Sequence, residues 1–202
     1  MNMPRLRPRI RKLAGSIDPS GAFAALSSRP WPFWLDSALP DDEGARWSFV
    51  GCDPFLTFTV RDSRCVVRQG RRSVTVSTNP FELLRSLLTR YRIERSDTDI
   101  PLVGGAVGYL GYEMGRYLER LPAPPPDEFH LPDAMFGFYD VILAFDHVVG
   151  SAWLVSTGLP EADKPARSKR AEMREQQFMS LIERNERLPG GPIETRPGEP
   201  TS

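Results

Sequence analysis

Four short apolar segments follow one another closely in the middle of the chain, and they restrict the fold more than any other feature of the sequence. They are rich in Val, Thr and Phe, and turn residues such as Asp53-Pro54 and Gly70 separate them. Runs of this kind bounded by turn residues predict β-strands. Because the connections are too short for crossover helices, the strands must pair antiparallel. The four segments are 46–51, 55–60, 64–69 and 73–77.

The clearest helix follows these strands, over residues 78–91. Asn79 is a suitable N-cap, Pro80 occupies the first turn, and Glu82 stands three residues after Asn79 as in a capping box. Apolar residues at helical spacing predict one face buried against a sheet. That inner face consists of Phe81, Leu84, Leu87 and Leu88.

The remaining elements complete the fold class. A short helix is predicted over 18–28, with Asp18 as its cap, and two strands, 134–147 and 151–158, are predicted to form a hairpin that turns at 147–150. An amphipathic helix follows over 161–188, with Met173, Phe178, Leu181 and Ile182 on its inner face. The order of elements predicts an α+β fold, with mainly antiparallel β-sheets packed against a few helices.

Charge and composition exclude several classes of protein. The 26 basic residues balance 26 acidic ones, so no overall field attracts nucleic acid, and no segment has the ~20 apolar residues of a membrane span. At the N-terminus Arg5, Arg7 and Arg9 alternate with other residues. This pattern predicts an edge strand with a solvated arginine face, with a basic nucleic-acid arm as the alternative. The two cysteines are expected to be free thiols in the cytosol, with a cross-strand bridge as the alternative.

The stretch 102–122 is rich in glycine, but it lacks both common phosphate-loop patterns. It contains neither G-x-x-x-x-G-K-[ST] nor G-x-G-x-x-G. Glycines in a strand allow another backbone to approach closely, while Tyr109 and Tyr112 supply bulk beside the gaps. We therefore interpret the stretch as a closely packed strand.

The sequence predicts no catalytic residues and no metal site. His130 and His147 have no carboxylate at metal-ligand spacing, and Cys52 has no neighbour that would activate it. Glu113 and Glu119 stand beside arginines, as on a solvated helical face.

The segment 31–51 is the most informative for binding. It combines several aromatic residues with a few polar ones, a composition typical of a pocket for a small amphipathic ligand. The alternative is that these aromatic residues build the core. The residues in question are Trp31, Phe33, Trp34 and Trp47, with Ser37, Arg46 and Ser48.

Four motifs in this order and spacing resemble a known family. They are "LDSA", "RWSFVGCDPF", "GGAVGYLGYEMGRYLERLP" and "FGFYDVILAFDH…AWLVSTG". Together they are similar to the N-terminal region of component I of anthranilate synthase and of aminodeoxychorismate (para-aminobenzoate) synthase. The resemblance covers about residues 5–188, and "GRYLERLP" and "GFYDVILAFDH" look more like the aminodeoxychorismate branch.

The resemblance implies a domain over 1–188 and a flexible linker over 189–202 that leads to a chorismate-binding catalytic domain outside the chain. It implies a role in aminating chorismate to 4-amino-4-deoxychorismate for para-aminobenzoate and folate synthesis, without catalysis by this chain in isolation. Magnesium would belong to the catalytic domain, and a glutamine amidotransferase subunit would be a further partner. The expected location is cytoplasmic. The alternatives are the regulatory domain of anthranilate synthase component I and a stand-alone module that binds a tryptophan-type small molecule.

The family's N-terminal domain also carries a tryptophan site. By resemblance, Leu35, Asp36 and Ser37 form one element of it, and Arg46, Trp47 and Ser48 form a second. Ser37 would hydrogen-bond the ligand, with Leu35 and Trp47 against the indole ring. Gly44 and Ala45 stand where some members have larger polar residues, which implies an altered pocket. The resemblance also places the glycine-rich strand inside the sheet core, close to the other domain.

Overall fold

The computed structural model describes residues 7–14, 17–37, 46–93, 98–120 and 129–186. These residues form two five-stranded sheets with three α-helices, and every strand pairing among them is antiparallel. The predicted α+β class is therefore confirmed. None of the helices in the described ranges has the length and apolar character needed to cross a bilayer. The predicted linker 189–202 and the positions Gly44 and Ala45 lie outside the described residues.

The first sheet, sheet A, carries two helices on one face. Helix α1 (Pro19–Leu26) begins at the predicted cap Asp18, whose carboxylate accepts a hydrogen bond from the backbone N–H of Gly21. Helix α3 (Lys164–Glu186) lies beside it, and Phe178 and Ile182 are buried between helix and sheet. The sheet consists of β1 (Arg9–Lys12), β2 (Phe33–Leu35), β3 (Trp47–Gly51), β9 (Val141–Asp146) and β10 (Ser151–Ser156), in the order β1-β10-β9-β3-β2.

The second sheet, sheet B, packs against helix α2 (Pro80–Arg90). Asn79 caps this helix as predicted, accepting hydrogen bonds from the backbone of Phe81 and Glu82. Apolar residues of the sheet and of α2 share one core cluster that includes Phe58, Leu84 and Leu87. The sheet consists of β4 (Leu56–Arg61), β5 (Arg64–Gln69), β6 (Arg72–Val76), β7 (Gly105–Leu110) and β8 (Ala134–Tyr139), in the order β6-β5-β4-β8-β7.

Asp140 separates two strands that the sequence predicts as one. The predicted strand 134–147 is wrong in this respect, because β8 belongs to sheet B and β9 to sheet A. Only β9 and β10 form the predicted hairpin, which turns over 147–150. The chain thus passes from one sheet to the other at a single residue.

The carboxylate of Asp140 is fully buried at this crossing and contacts two arginines of α3. Arg170 Nη2 lies 3.1 Å from its Oδ2, and Arg174 Nη2 lies 3.1 Å from its Oδ1. The Asp140 carbonyl also accepts a hydrogen bond from the backbone N–H of Thr157, just after β10. A buried charge requires such partners, so this residue ties both sheets to α3.

Two predicted inner-face residues lie outside the core. Met173 of α3 is 45% exposed, while Ala171 and Glu175 are buried instead. Leu88 of α2 is 47% exposed, and Leu83 packs against the core in its place. Each predicted inner face is therefore correct except at one position, which is Met173 in α3 and Leu88 in α2.

The arginine face of the N-terminal strand is exposed as predicted, although Arg5 lies outside the described residues. Strand β1 is an edge strand as expected, but Arg9 Nε and Arg11 Nη1 lie 3.0 and 3.3 Å from the carboxylate of Glu175 in α3. Glu175 is buried, so the arginines cover it. Their alternation reflects contact with a helix as well as with solvent.

The glycine-rich strand β7 lies at the edge of sheet B, not inside it as the resemblance implied. Close backbone packing is nevertheless present, because a Cβ at Gly108 would lie 1.9 Å from the carbonyl oxygen of Met135 in β8. A 3₁₀ helix over Tyr112–Tyr117 follows, in which Arg116 pairs with Glu113 at 2.6 Å. The glycines thus serve strand pairing.

Both cysteines are free and buried, as expected, and the alternative of a bridge is wrong. Cys65 is in β5 of sheet B, whereas Cys52 directly follows β3 of sheet A. Burial, with a smaller contribution from nearby Asp53, raises the pKa of the Cys52 thiol to about 12. A thiol in this state is a poor nucleophile at neutral pH.

Candidate functional site

The two predicted ligand-binding elements lie side by side in sheet A. Strands β2 and β3 pair antiparallel, with Leu35 opposite Phe49. Because side chains alternate between the faces of a strand, neighbouring residues of each element diverge. The six predicted residues therefore lie in two different environments, one aromatic and one polar.

One surrounding is an aromatic platform on the sheet face opposite α1 and α3. Trp47 stacks on Phe49 with ring centroids 6.1 Å apart, and it also lies 5.8 Å from Trp153 of β10. Leu35 is 44% exposed and stands next to Phe49 in the strand register. Trp47 and Trp153 are half-buried, whereas Phe49 is buried. Flat aromatic faces that remain partly exposed can bind a planar apolar group. We use the term aromatic platform for Leu35, Trp47, Phe49 and Trp153.

Two cations border the platform. The guanidinium carbon of Arg46 lies 5.1 Å from the Trp47 ring centroid, and Lys12 Nζ lies 6.0 Å from that of Trp153. A positive charge over an aromatic ring interacts favourably with it. The same positive charges can attract the carboxylate of a ligand. The platform thus combines apolar stacking area with a positive rim.

Arg46 is fixed by a buried carboxylate. Its Nε and Nη2 donate to Asp146 Oδ2 at 2.9 and 2.6 Å, while Asp146 Oδ1 accepts from the backbone of Val148 and Val149. The hydrogen bond from Arg46 is the main cause that lowers the pKa of Asp146, and the two backbone hydrogen bonds act in the same direction. Through these contacts Asp146 holds the hairpin turn over 147–150.

The second surrounding is a polar cluster around Ser48. This serine is fully buried, its Oγ donates a short hydrogen bond to Asp36 Oδ1, and it lies 2.6 Å from His147 Nε2. A serine hydroxyl has one proton, so with that proton directed at Asp36 the histidine is the donor. In this arrangement His147 does not accept the serine proton, and the three side chains form one hydrogen-bonded cluster. Ser37 is half-buried directly after Asp36.

The predicted site residues are thus brought close but not into one pocket. Leu35 and Trp47 belong to the aromatic platform and Arg46 borders it, whereas Asp36 and Ser48 contact each other in the polar cluster. Trp34 packs against Phe23 of α1, with centroids 5.7 Å apart, and Phe33 and Trp47 pack against a core cluster. Core packing is therefore present in this segment, while the ligand pocket stays a prediction.

Sequence reasoning missed Phe49, Trp153, Lys12 and His147 as neighbours of these residues. Trp153 and Phe49 share one row of sheet A, because both pair with Ala144 of β9. This row can be recognised only when the register of β3, β9 and β10 is known. A tryptophan in a strand that is otherwise short and aliphatic was the one available signal.

The described part of the chain does not fit a magnesium ion. No group of three or more His, Cys, Asp or Glu residues lies together among the described residues. The buried carboxylates of Asp140, Asp146 and Glu175 are each engaged by arginine instead.

Comparison with known proteins gives the family. The family model described as "chorismate binding enzyme" matches residues 32–196, which is most of the chain. Aminodeoxychorismate synthase component 1 of Escherichia coli is 32% identical over 157 residues, covering 77% of this chain and 33% of that protein. Anthranilate synthase component 1 of Thermus thermophilus is 34% identical over 176 residues, covering 85% of this chain and 37% of that protein. The chain therefore belongs to the chorismate binding enzyme family, and it spans about a third of the length of these relatives.

A solved structure supports the fold. Anthranilate synthase component I from Streptococcus pneumoniae superposes with a TM-score of 0.52 at 22% identity, covering 70% of this chain and 31% of that one. At this identity the likeness concerns the fold. It agrees with two antiparallel sheets and a few packed helices.

Proposed function

We propose that this chain forms the N-terminal ligand-binding and scaffold part of an aminodeoxychorismate synthase component I. The complete enzyme would aminate chorismate to 4-amino-4-deoxychorismate in the cytoplasm, with ammonia from a glutamine amidotransferase subunit. The single observation that carries the binding role is the aromatic platform with its positive rim. Membership of the family and the E. coli relative support the choice of reaction.

In this proposal the platform binds a planar ligand of the tryptophan type. Leu35 and Trp47 would contact the ring, while Lys12 and Arg46 would attract its carboxylate. The platform supplies one wall, since it is a sheet face with side chains that remain partly exposed. A ligand held by one wall keeps much of its surface in water and binds weakly.

The opposite wall and the reacting groups would belong to a further portion, which is where magnesium would be held. The edge of sheet B supports such docking. Strand β7 is open on one side, and apolar side chains beside it are exposed, Tyr112 to 86%. Open strand edges and exposed apolar groups favour contact with another part of a protein.

The regulatory domain of an anthranilate synthase component I is the second candidate. The Thermus thermophilus relative favours it, because its match extends over 85% of this chain. Both candidates predict the same scaffold and differ in the product of the complete enzyme.

A chimera tests whether this chain can serve as the scaffold of an aminodeoxychorismate synthase component I. This chain would replace the matching third of the E. coli aminodeoxychorismate synthase component 1, and the product from chorismate, magnesium and ammonium would be identified by chromatography. We expect 4-amino-4-deoxychorismate from the chimera and no product from the 202-residue chain in isolation. Turnover by the isolated chain would contradict the proposal, as would a folded chimera without activity.

A stand-alone binding module is the third candidate, and calorimetry with tryptophan tests it. Under the leading proposal the isolated chain binds tryptophan weakly, with a Kd on the order of 1 mM. Trp153→Ala should weaken this binding further, whereas Trp34→Ala, on the opposite face of the sheet, should leave it unchanged. Micromolar binding by the isolated chain would favour the stand-alone module.

A further inference from the structure

A groove on sheet B, remote in the sheet order from the aromatic platform, combines an apolar floor with an arginine rim. It lies between α2 and strands β5 and β6 and has a volume of about 350 Å³. Arg72 and Arg90 border it. Its apolar lining consists of Leu56, Val67, Val74, Val76, Leu83 and Leu87.

The segment 61–92, which supplies most of the groove's lining, is strongly basic although the chain as a whole is neutral. Residues 61–92 contain eight arginines against two acidic residues, Asp62 and Glu82. Within the described ranges, only Arg61 of these arginines lies within ion-pair distance of a carboxylate, that of Asp62 at 3.9 Å. The others are Arg64, Arg68, Arg71, Arg72, Arg85, Arg90 and Arg92. This positive charge is therefore not neutralised by the fold.

Strand β6 forms the outer side of the groove and is an open edge. It is the last strand of sheet B, and its central residue Val74 is 56% exposed although it is apolar. An open edge offers unpaired backbone groups to an extended segment, and an adjoining apolar groove can hold alternate side chains of that segment.

We propose that this groove is the docking surface for an extended, acidic segment of a partner protein. The segment pairs with β6, its apolar side chains enter the groove beside Val74, and its carboxylates face Arg72 and Arg90. The surface goes beyond the proposed function, because it concerns neither the aromatic platform nor the reaction.

Two other occupants fit the groove less well. Single-stranded nucleic acid needs exposed aromatic faces for stacking, and the one aromatic residue that lines the groove, Tyr91, is buried. A second copy joined through β6 would bring the arginine-rich edges of the two chains together, and like charges across strands are unfavourable. An acidic polypeptide satisfies both the charge and the open edge.

The test is a titration of the ¹⁵N-labelled 202-residue chain followed by amide chemical shifts. The probe is a capped heptapeptide of sequence Glu-Val-Asp-Val-Glu-Val-Asp, and the comparison probes are Lys-Val-Lys-Val-Lys-Val-Lys and a short oligothymidylate. We expect the acidic peptide to shift amides of β6 and α2, with binding that weakens as salt rises. The basic peptide should cause no shifts there.

Matched variants locate the binding. Val74→Asp should weaken peptide binding about tenfold because it places a like charge at the centre of the groove, whereas Val149→Asp, at a similarly exposed valine in the turn between β9 and β10, should have no effect. Arg90→Gln should weaken binding about threefold to fivefold, and Arg85→Gln, on the same helix but away from the groove, should not. Unchanged spectra away from the groove confirm that each variant is folded.

Three results would overturn the proposal. The first is the absence of shifts at millimolar acidic peptide, and the second is stronger binding of oligothymidylate at the same amides. The third is a dependence of the β6 shifts on protein concentration without peptide, which would assign the surface to a second copy of the chain.

Discussion

The arginines of sheet A and those of sheet B have different surroundings, although the residue type is the same. On sheet A and its helices, arginines contact buried carboxylates: Arg46 with Asp146 at 2.6 Å, and Arg174 with Asp140 at 3.1 Å. On sheet B, within the described ranges, the one acidic residue at ion-pair distance from an arginine of the 61–92 segment is Asp62, which is 91% exposed. The same residue type thus pairs with buried carboxylates on sheet A, whereas the arginines of the 61–92 segment have no buried carboxylate partner in the described part of the chain.

The difference follows from where the acidic residues lie. A buried carboxylate is costly unless it is paired, so removing its partner is strongly destabilising. An exposed pair in water contributes little. Substitutions at the two kinds of site should therefore differ widely in their effects on stability.

The largest effect is expected at the crossing between the sheets. Asp140→Asn leaves Arg170 and Arg174 without a carboxylate in a buried setting and should lower the free energy of unfolding by about 3–5 kcal/mol. Urea unfolding followed by circular dichroism measures this. The control Asp62→Asn, at an exposed carboxylate of sheet B, should change it by less than about 0.5 kcal/mol. Equal effects of the two changes would refute the comparison.

The next effect concerns glycine rather than charge, and it tests whether sheet B depends on backbone packing. Gly108→Ala places a methyl group against the Met135 carbonyl and should destabilise the protein by about 1–3 kcal/mol. Gly21→Ala in α1 of the sheet A side meets no atom closer than 3.8 Å and should stabilise by about 0.5–1 kcal/mol. Thermal unfolding of both variants shows whether each substitution lowers or raises stability. A stable Gly108→Ala protein would show that β7 can shift away from β8.

A smaller effect, with a defined pH dependence, is expected at Arg46. The folded-state pKa of Asp146 is lowered mainly by the Arg46 hydrogen bond, so this pair stabilises the fold above the unfolded carboxyl pKa of about 3.9. That contribution is lost as the pH falls through the lower folded value. Arg46→Gln should therefore be less stable than the parent at pH 7, and the two stabilities should converge as the pH falls below the lowered folded-state pKa of Asp146. A difference in stability that is independent of pH would contradict this assignment.

The smallest effect is expected on the exposed face of sheet B. Arg68→Gln removes a charge that has no carboxylate partner among the described residues, and it should change the free energy of unfolding by less than about 0.5 kcal/mol. Differential scanning fluorimetry suffices to measure it. A marked loss of stability would mean that this arginine has a structural role after all.

Local signals in the sequence were sufficient for most elements of the fold. Asn79 and Asp18 cap their helices as predicted, because caps depend on residues close in the chain. Three of the four central strands, β4, β5 and β6, pair antiparallel through short turns as predicted. The prediction is wrong for the first strand, because β3 lies in sheet A and pairs with β2 and β9 instead of β4. The passage at Asp140 was missed because no glycine or proline marks it. A single acidic residue within a long apolar run was the available signal.

The candidate site was less predictable because it depends on register across strands. Leu35 and Trp47 are placed on one sheet face only once β2 is paired with β3. Trp153 enters the platform through β9, which lies between β10 and β3 in the sheet. Burial of Glu175 under Arg9 and Arg11 likewise depends on a contact between the two ends of the described chain. Such long-range contacts leave no local pattern.

The direct passage from β8 into β9 also limits how this protein can be divided. Since one uninterrupted backbone supplies a strand to each sheet, cleavage at residue 140 would leave two fragments with incomplete hydrogen-bond ladders. Neither sheet can therefore be duplicated or expressed as a separate folding unit. Any gene fusion or fission in this family that preserves the fold would have to spare this junction.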